Sequence, residues 1–182
     1  MDNNAEQGHS RKNYDPCVNE SKIHYLQGDA TKPVDVPGYD NKIIAHICND
    51  LGGWGAGFVL ALSKMSKRPE NFYRSSYATK NNAGLGCVQF VFLTEYDRIT
   101  VANMIAQHGY KNKDNPVPLV YEVLRECLNK VRKFAIKNNA TVHMPKIGCG
   151  LAGGNWNQIE QIIIQELCNY GVPIYVYEFN NI

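Results

Sequence analysis

The chain has 182 residues, 44% of them hydrophobic, which is enough to bury a substantial core and places it in the range of one domain. Its formal net charge of +2, with charged residues at 20%, gives no large basic field, so duplex nucleic acid held through many phosphate contacts is disfavoured while a small anionic ligand stays compatible. Six cysteines (Cys17, Cys48, Cys87, Cys127, Cys149, Cys168) contain no C-x-x-C pair, no apolar run approaches the ~18 residues of a membrane span, and no signal peptide is seen, so a soluble, intracellular (cytoplasmic or nuclear) protein with reduced thiols is expected.

Residues 1–20 are polar, aperiodic and poor in aliphatic side chains, the composition of a flexible tail that cannot offset its ordering entropy, and His9 within it reads as solvent-exposed filler. The folded domain is expected over residues 21–182. It starts with KIHYLQGDAT from Lys22, an alternating strand that ends in a turn at Gly28-Asp29. Asp29 then stands at a strand's carboxyl end, where open α/β sheets bind ligands, although Asp is also a common turn or cap residue. Pro33, Pro37 and Gly38 mark a connecting loop.

Residues 42–48 form the second strand, which ends in Asn49 and Asp50 and runs into a loop with four glycines among six residues, Gly52, Gly53, Gly55 and Gly57. Residues 54–65 follow with Phe58, Val59, Ala61, Leu62 and Met65 on one helical face. Strand, glycine loop and helix in that order suit an anion, because glycine lets the backbone approach closely and the first helical turn leaves N–H groups unpaired at the positive end of its dipole. Phe58 and Val59 stand where a P-loop would carry Lys and Ser/Thr, which argues against nucleoside triphosphate binding of that kind.

Pro69-Glu70 opens a second helix through about Lys80, with Phe72, Tyr73 and Tyr77 as packing residues. Two β-rich runs, 87–94 and 98–105, are joined by Glu95-Tyr96-Asp97 as a hairpin connection and should pair as neighbours. Ala106-Gln107-His108-Gly109 is a polar exit in which His108 is a candidate acid/base group, since imidazole titrates near neutral pH. Residues 117–137 make an amphipathic helix, 141–147 a strand, and 148–154 a second glycine loop. Residues 155–170 read as a helix with Asn155 as N-cap, and 173–179 as the closing strand. About six strands and four helices in mixed order predict an α/β fold with a sheet covered on both faces.

The second loop holds a literal G-x-G-x-x-G from Gly148 to Gly153, with Glu178 near the end of the next strand, so an NAD-dependent oxidoreductase is a minor reading. Against it, the chain stops four residues after Glu178, and the remaining strands would have to come from the N-terminal part. From about Lys22 to its end the chain better resembles the macrodomain family. The resemblance rests on Gly28-Asp29-Ala30, on the run from Ile44 to Phe58 with Asn49 and GGWGAGF, and on MPKIGCGLAGGNW from Met144 to Trp156. The His-x-Cys-Asn signature at His46–Asn49 and the Gly-x-Trp-Gly signature that includes Gly53, Trp54 and Gly55 look most like the branch of ADP-ribose-1''-phosphate phosphatases and terminal ADP-ribose hydrolases.

This resemblance implies a three-layer α/β/α macrodomain with a mixed, about six-stranded sheet and an ADP-ribose pocket at its carboxyl edge. Asp29 would accept the adenine amino group, and Phe179 or Asn180 would border the adenine. Gly55, Ala56, Gly57 and Phe58 on one side, and Gly148, Cys149, Gly150 and Leu151 on the other, would donate N–H groups to the diphosphate. Asn49 would hold the distal ribose, and Ala30, His46, Gly53 and Trp54 belong to the same ligand-binding set. No metal or cofactor is called for, and a monomer is expected.

In the family's hydrolase acting on ADP-ribosylated glutamate, a lysine after the fourth strand and an aspartate in the second glycine loop carry the reaction. Ungapped reading puts Gln107 and Ala152 there, and neither can form a lysine-type imine. Asn49, Asp50 and His108 are therefore assigned to the distal end, with Asp50 or His108 positioning water. The expected function is hydrolysis of ADP-ribose derivatives, either the 1''-phosphate or an ADP-ribosylated macromolecule, with a non-catalytic ADP-ribose reader as the alternative. Asp29→Ala should weaken ADP-ribose binding and leave the fold intact; unchanged affinity in a folded variant, measured by calorimetry, refutes this placement of the adenine.

Overall fold

A computed structural model describes residues 22–94 and 98–179. The expected tail, the Glu95–Asp97 connection and Asn180 lie outside the described residues. In chain order the elements are β1 (Ile23–Gln27), β2 (Asn41–Asn49), α1 (Phe58–Met65), α2 (Arg68–Ala78), β3 (Val88–Thr94), β4 (Ile99–Gln107), α3 (Tyr121–Lys137), β5 (Ala140–Pro145), α4 (Trp156–Glu166), a 3₁₀ turn (Cys168–Tyr170) and β6 (Ile174–Glu178). They build one six-stranded sheet in the order β1-β6-β5-β2-β4-β3. Every neighbouring pair is parallel except β3 with β4, which run antiparallel as expected of adjacent strands in sequence. This is not the strand order of a dinucleotide-binding sheet, which removes the topological basis of the oxidoreductase reading.

The sheet is covered on both faces, and the side-chain alternation of β2 shows how. Ile43 and Ala45 point into a core shared with Leu124, Leu128 and Val131 of α3 and with Ile159 and Ile163 of α4. Ile44 and Cys48 point the other way, against Val59 and Leu62 of α1, Tyr73 of α2 and Trp54. All nine residues of β4 are buried, the pattern of a strand with helices on both sides. Layers of helix, sheet and helix therefore follow from two apolar faces per central strand. Among the described residues no helix is long and apolar enough to cross a membrane.

Several boundaries differ from the sequence expectation, each for a local reason. Helix α1 begins at Phe58 instead of Trp54, because Gly57 sits at φ +78° as its N-cap and the three residues before it belong to the loop. Helix α3 begins at Tyr121 instead of Val117, since Pro118 disfavours helical backbone at Val117 and Val120 is itself extended. Strand β5 ends at Pro145, which has no N–H to continue the ladder. The last helix stops at Glu166 and gives way to a 3₁₀ turn closed by Gly171 at φ +74°. Asn155 caps α4 as expected, its Oδ1 accepting from Gln158 N at 3.4 Å.

Two histidines are built into the sheet as neutral groups. His143 is fully buried between Thr141 Oγ1 at 2.7 Å and Tyr177 Oη at 3.0 Å, and stacks on Tyr175 with ring centroids 5.0 Å apart. Burial pushes its pKa down to about 3, and that of His46 down to about 4. An unfolded histidine takes up its proton near pH 6.5, so the stability these groups confer is complete above that pH and declines as pH falls toward 4 and 3. At pH 5 each costs about 2 kcal/mol relative to pH 8. A His143→Gln variant should flatten the pH 5 to pH 8 stability difference by about that amount in chemical denaturation; an unaltered difference contradicts this account.

Candidate functional site

Five parallel strands end on one edge of the sheet, and a cleft of about 550 Å³ opens there between the loops that follow β2 and β5. The first loop is shaped by Asn49. Its Nδ2 donates to Gly53 O at 2.8 Å, and its Oδ1 accepts from the N–H groups of Leu51 and Gly53 at 2.9 and 3.0 Å. The buried Tyr73 hydroxyl donates to Asn49 O at 2.5 Å and lies 3.1 Å from Oδ1.

Trp54 locks the same loop from behind. It is 2% exposed, with its ring edge-on to His46 at 5.3 Å, and its Nε1 donates to Ser63 Oγ at 2.8 Å. The Ser63 hydroxyl in turn donates to Glu70 Oε2 at 2.7 Å. That hydrogen bond, with Lys67 and Arg74 alongside, pulls the Glu70 carboxyl down to about 2. Arg74 bonds Glu70 through Nε at 3.1 Å and reaches Gly52 O at 3.3 Å, so α2 holds both ends of the turn.

With residues 51–54 held, Gly55, Ala56 and Gly57 border the cleft, and their N–H groups and that of Phe58 donate to no partner among the described residues. A Cβ on Gly55 would meet nothing within 4 Å.

The second loop is a closed turn of similar character. Gly154 N donates to Gly148 O at 2.7 Å, Gly153 N to Gly150 O at 3.0 Å, and Leu119 N to Ala152 O at 3.2 Å. Gly148 sits at φ +75°, where a Cβ would lie 2.9 Å from Ile159, so glycine is needed there for conformation and space alike. The N–H groups of Gly148, Cys149, Gly150 and Leu151 have no acceptor among the described residues. Leu151 reaches across to within 3.5 Å of the Cβ position of Gly57. Two sets of free N–H groups thus flank one cleft, an arrangement that solvates anions.

At the end beyond β2, Asp50 and His108 form a pair: Asp50 Oδ2 lies 2.6 Å from His108 Nδ1, and Oδ1 accepts from Gly109 N at 2.8 Å. The carboxylate is mostly covered, 16% exposed, while the imidazole is 72% exposed. Gln107 lines the cleft and spends its Nε2 on Gly109 O at 2.8 Å. Asn115 ties down the loop that follows, its Nδ2 donating to His108 O at 2.9 Å, and Tyr110 packs its hydroxyl against Gly53.

Of the residues singled out from the sequence, His46, Asn49, Gly53, Gly55, Ala56, Gly57, Phe58, Gly148, Gly150 and Leu151 come together around the cleft. Trp54 stands behind the first loop. Cys149 is half-buried with Sγ 3.5 Å from Ile147 O, its thiol pushed up by burial. Asp50 and His108 follow the lining residues Asn49 and Gln107 in the chain and pair with each other, but neither lines the cleft itself. Asp29 and Ala30 follow β1, on the same edge but at the sheet's border; Asp29 Oδ1 accepts from Thr31 N at 2.9 Å, and Phe179, 72% exposed, follows β6 beside them. From β1 to β4 the edge spans four inter-strand steps, about 19 Å at ~4.8 Å each. Tyr110, Lys111 and Lys146 also line the cleft and were not singled out, because no local pattern marks a side chain that a folded-back loop delivers.

No protein-family model matches the chain. A macrodomain protein from Streptomyces coelicolor is 45% identical, with a TM-score of 0.75 over 86% of this chain and 99% of that one. An ADP-ribose 1''-phosphate phosphatase of Candida albicans is 27% identical over 158 residues, 85% of this chain and 99% of that protein. A chromodomain-helicase-DNA-binding protein 1-like of Mus musculus is 30% identical over 169 residues, 89% of this chain, which spans 18% of that protein's length.

The brace behind the first loop yields a direct expectation. Ser63→Ala leaves the buried indole N–H of Trp54 without its acceptor and should lower unfolding free energy by about 1–3 kcal/mol in denaturant titration. A loss well under that range would mean that Ser63 does not carry the contact.

Proposed function

Because the chain belongs to the macrodomain family, we propose that it binds ADP-ribose along the carboxyl edge of its sheet and hydrolyses derivatives of it at the distal ribose. The observation that carries this reading is the pair of glycine loops with free N–H groups on either side of one cleft. A diphosphate needs two anionic groups solvated, and each loop serves one. The adenine then lies toward Asp29 and Phe179, and the distal ribose toward Asn49 and β4. The name of the Candida albicans relative supports ADP-ribose 1''-phosphate as the first substrate to test.

Hydrolysis is assigned to the Asp50–His108 pair. Asp50 accepts the Nδ1 proton of His108, which leaves Nε2 as the basic nitrogen able to take a proton from an attacking water. The loop N–H groups hold the diphosphate fixed while the bond at the distal ribose breaks, a positioning contribution that needs no metal. The second reading, binding without turnover, is supported by Gln107 and by the buried Ala152, which occupy the positions where the resemblance expects lysine and aspartate.

A turnover panel of ADP-ribose 1''-phosphate and ADP-ribosylated macromolecules separates the two. Product from any of these establishes the enzyme, and tight ADP-ribose binding with no product leaves the reader. Asp50→Asn should cut kcat by about 10²-fold or more while moving KM little, the effect of losing an oriented acid/base group. Gly55→Val and Gly150→Glu should each lower ADP-ribose affinity by more than about tenfold, the second adding a repulsive charge. Retained affinity in both would sink the two-loop cradle.

A further inference from the structure

Between the cleft and Asp29 a bound nucleotide would cross the ends of β5 and β6, and that ground is occupied by an ion pair. Lys146 lines the cleft two residues ahead of Gly148, yet its ammonium is paired with Oε1 of Glu178, the last residue of β6. The other oxygen of Glu178 accepts from Gln27 Nε2 at 3.2 Å, so the carboxylate has a second tether that does not involve Lys146. The ammonium also stands 5.9 Å from the ring centroid of Trp156, whose own Nε1 is fixed on Tyr25 Oη at 3.1 Å. Lys146 can therefore move while its surroundings stay put. Its side chain is 42% exposed and that of Glu178 35%, the regime in which an ion pair contributes little and exchanges readily.

We propose that the Lys146–Glu178 pair is a latch: a diphosphate entering the cleft draws Lys146 off Glu178, and Lys146 becomes the side-chain cation of a cradle otherwise made of backbone N–H groups. The exchange replaces one carboxylate by a ligand carrying two negative charges, so the electrostatics favour it. Glu178 stays behind on Gln27 and works against binding by competing for Lys146. Of the two lysines that line the cleft, Lys111 and Lys146, the chain thus keeps the one beside the second loop neutralised until a dianion arrives. A nucleoside or a sugar without the diphosphate has nothing to offer the ammonium and leaves the latch shut. This inference rests on the ADP-ribose reading of the same cleft.

Calorimetry with ADP-ribose on the full chain and on Glu178→Gln, Lys146→Met and the double variant tests it. Removing Glu178 should tighten binding about fivefold, and removing Lys146 should weaken it about tenfold. In the Lys146→Met background the Glu178→Gln change should give little further gain, because there is no ammonium left to release. An equal gain in both backgrounds means simple charge repulsion and overturns the latch. So does a Glu178→Gln variant no tighter than the parent, or a Lys146→Met variant of unchanged affinity. A parent chain that does not bind ADP-ribose at all overturns the reading of the cleft itself, a result distinct from the others. Melting temperatures check that these exposed substitutions leave the fold in place.

Discussion

The amide of Asn49 does for the first glycine loop what no backbone pairing could do. A loop that presents free N–H groups to a ligand cannot also use them to hold itself together, so its shape has to come from somewhere else. Asn49 supplies it by taking both N–H groups of the preceding turn on one oxygen and returning a hydrogen bond to Gly53 O. Tyr73, on a different layer, fixes Asn49 in turn. Residues 55–57 are left with open N–H groups while Asn49, Tyr73 and Arg74 hold the turn before them.

The same division of labour runs through α2. Glu70 gathers Ser63, Lys67 and Arg74 on one carboxylate, and through Ser63 and Arg74 it reaches Trp54 and Gly52, the two flanks of the turn. Ser63 keeps that carboxylate ionised far below neutral pH, so the brace is insensitive to the acidity changes that affect the buried histidines. Stability and site geometry are coupled here, since the residues that pack the helix layer also aim the loop.

How much of this could be read in advance follows from how local each signal is. The glycines of both loops, the alternation of β2 and the largely apolar β4 are written in consecutive residues, and the layers and the two glycine loops were legible from them. Asn155 as a cap was legible for the same reason. The start of α1 was not, because a positive φ at Gly57 is a choice between conformations that glycine leaves open. Trp54 was grouped with the ligand-facing residues by its place in the motif, yet its side chain turns to Ser63, nine residues on. The Asp50–His108 pair joins residues 58 apart, and Lys146 with Glu178 joins the ends of two strands. Contacts of that range are made by topology, and periodicity carries no trace of them.

The position of β1 has a consequence for how the chain assembles. Among the described residues it pairs with β6 alone, Ile23 opposite Ile174, so β1 waits for β6 to be made before this pairing can form. Closing a loop of that length is entropically costly and slow, and the rest of the sheet can condense without it. The border that carries Asp29 is therefore the last part of the described edge to exist during synthesis, and a nascent chain would own both glycine loops before it owned a finished floor beside them.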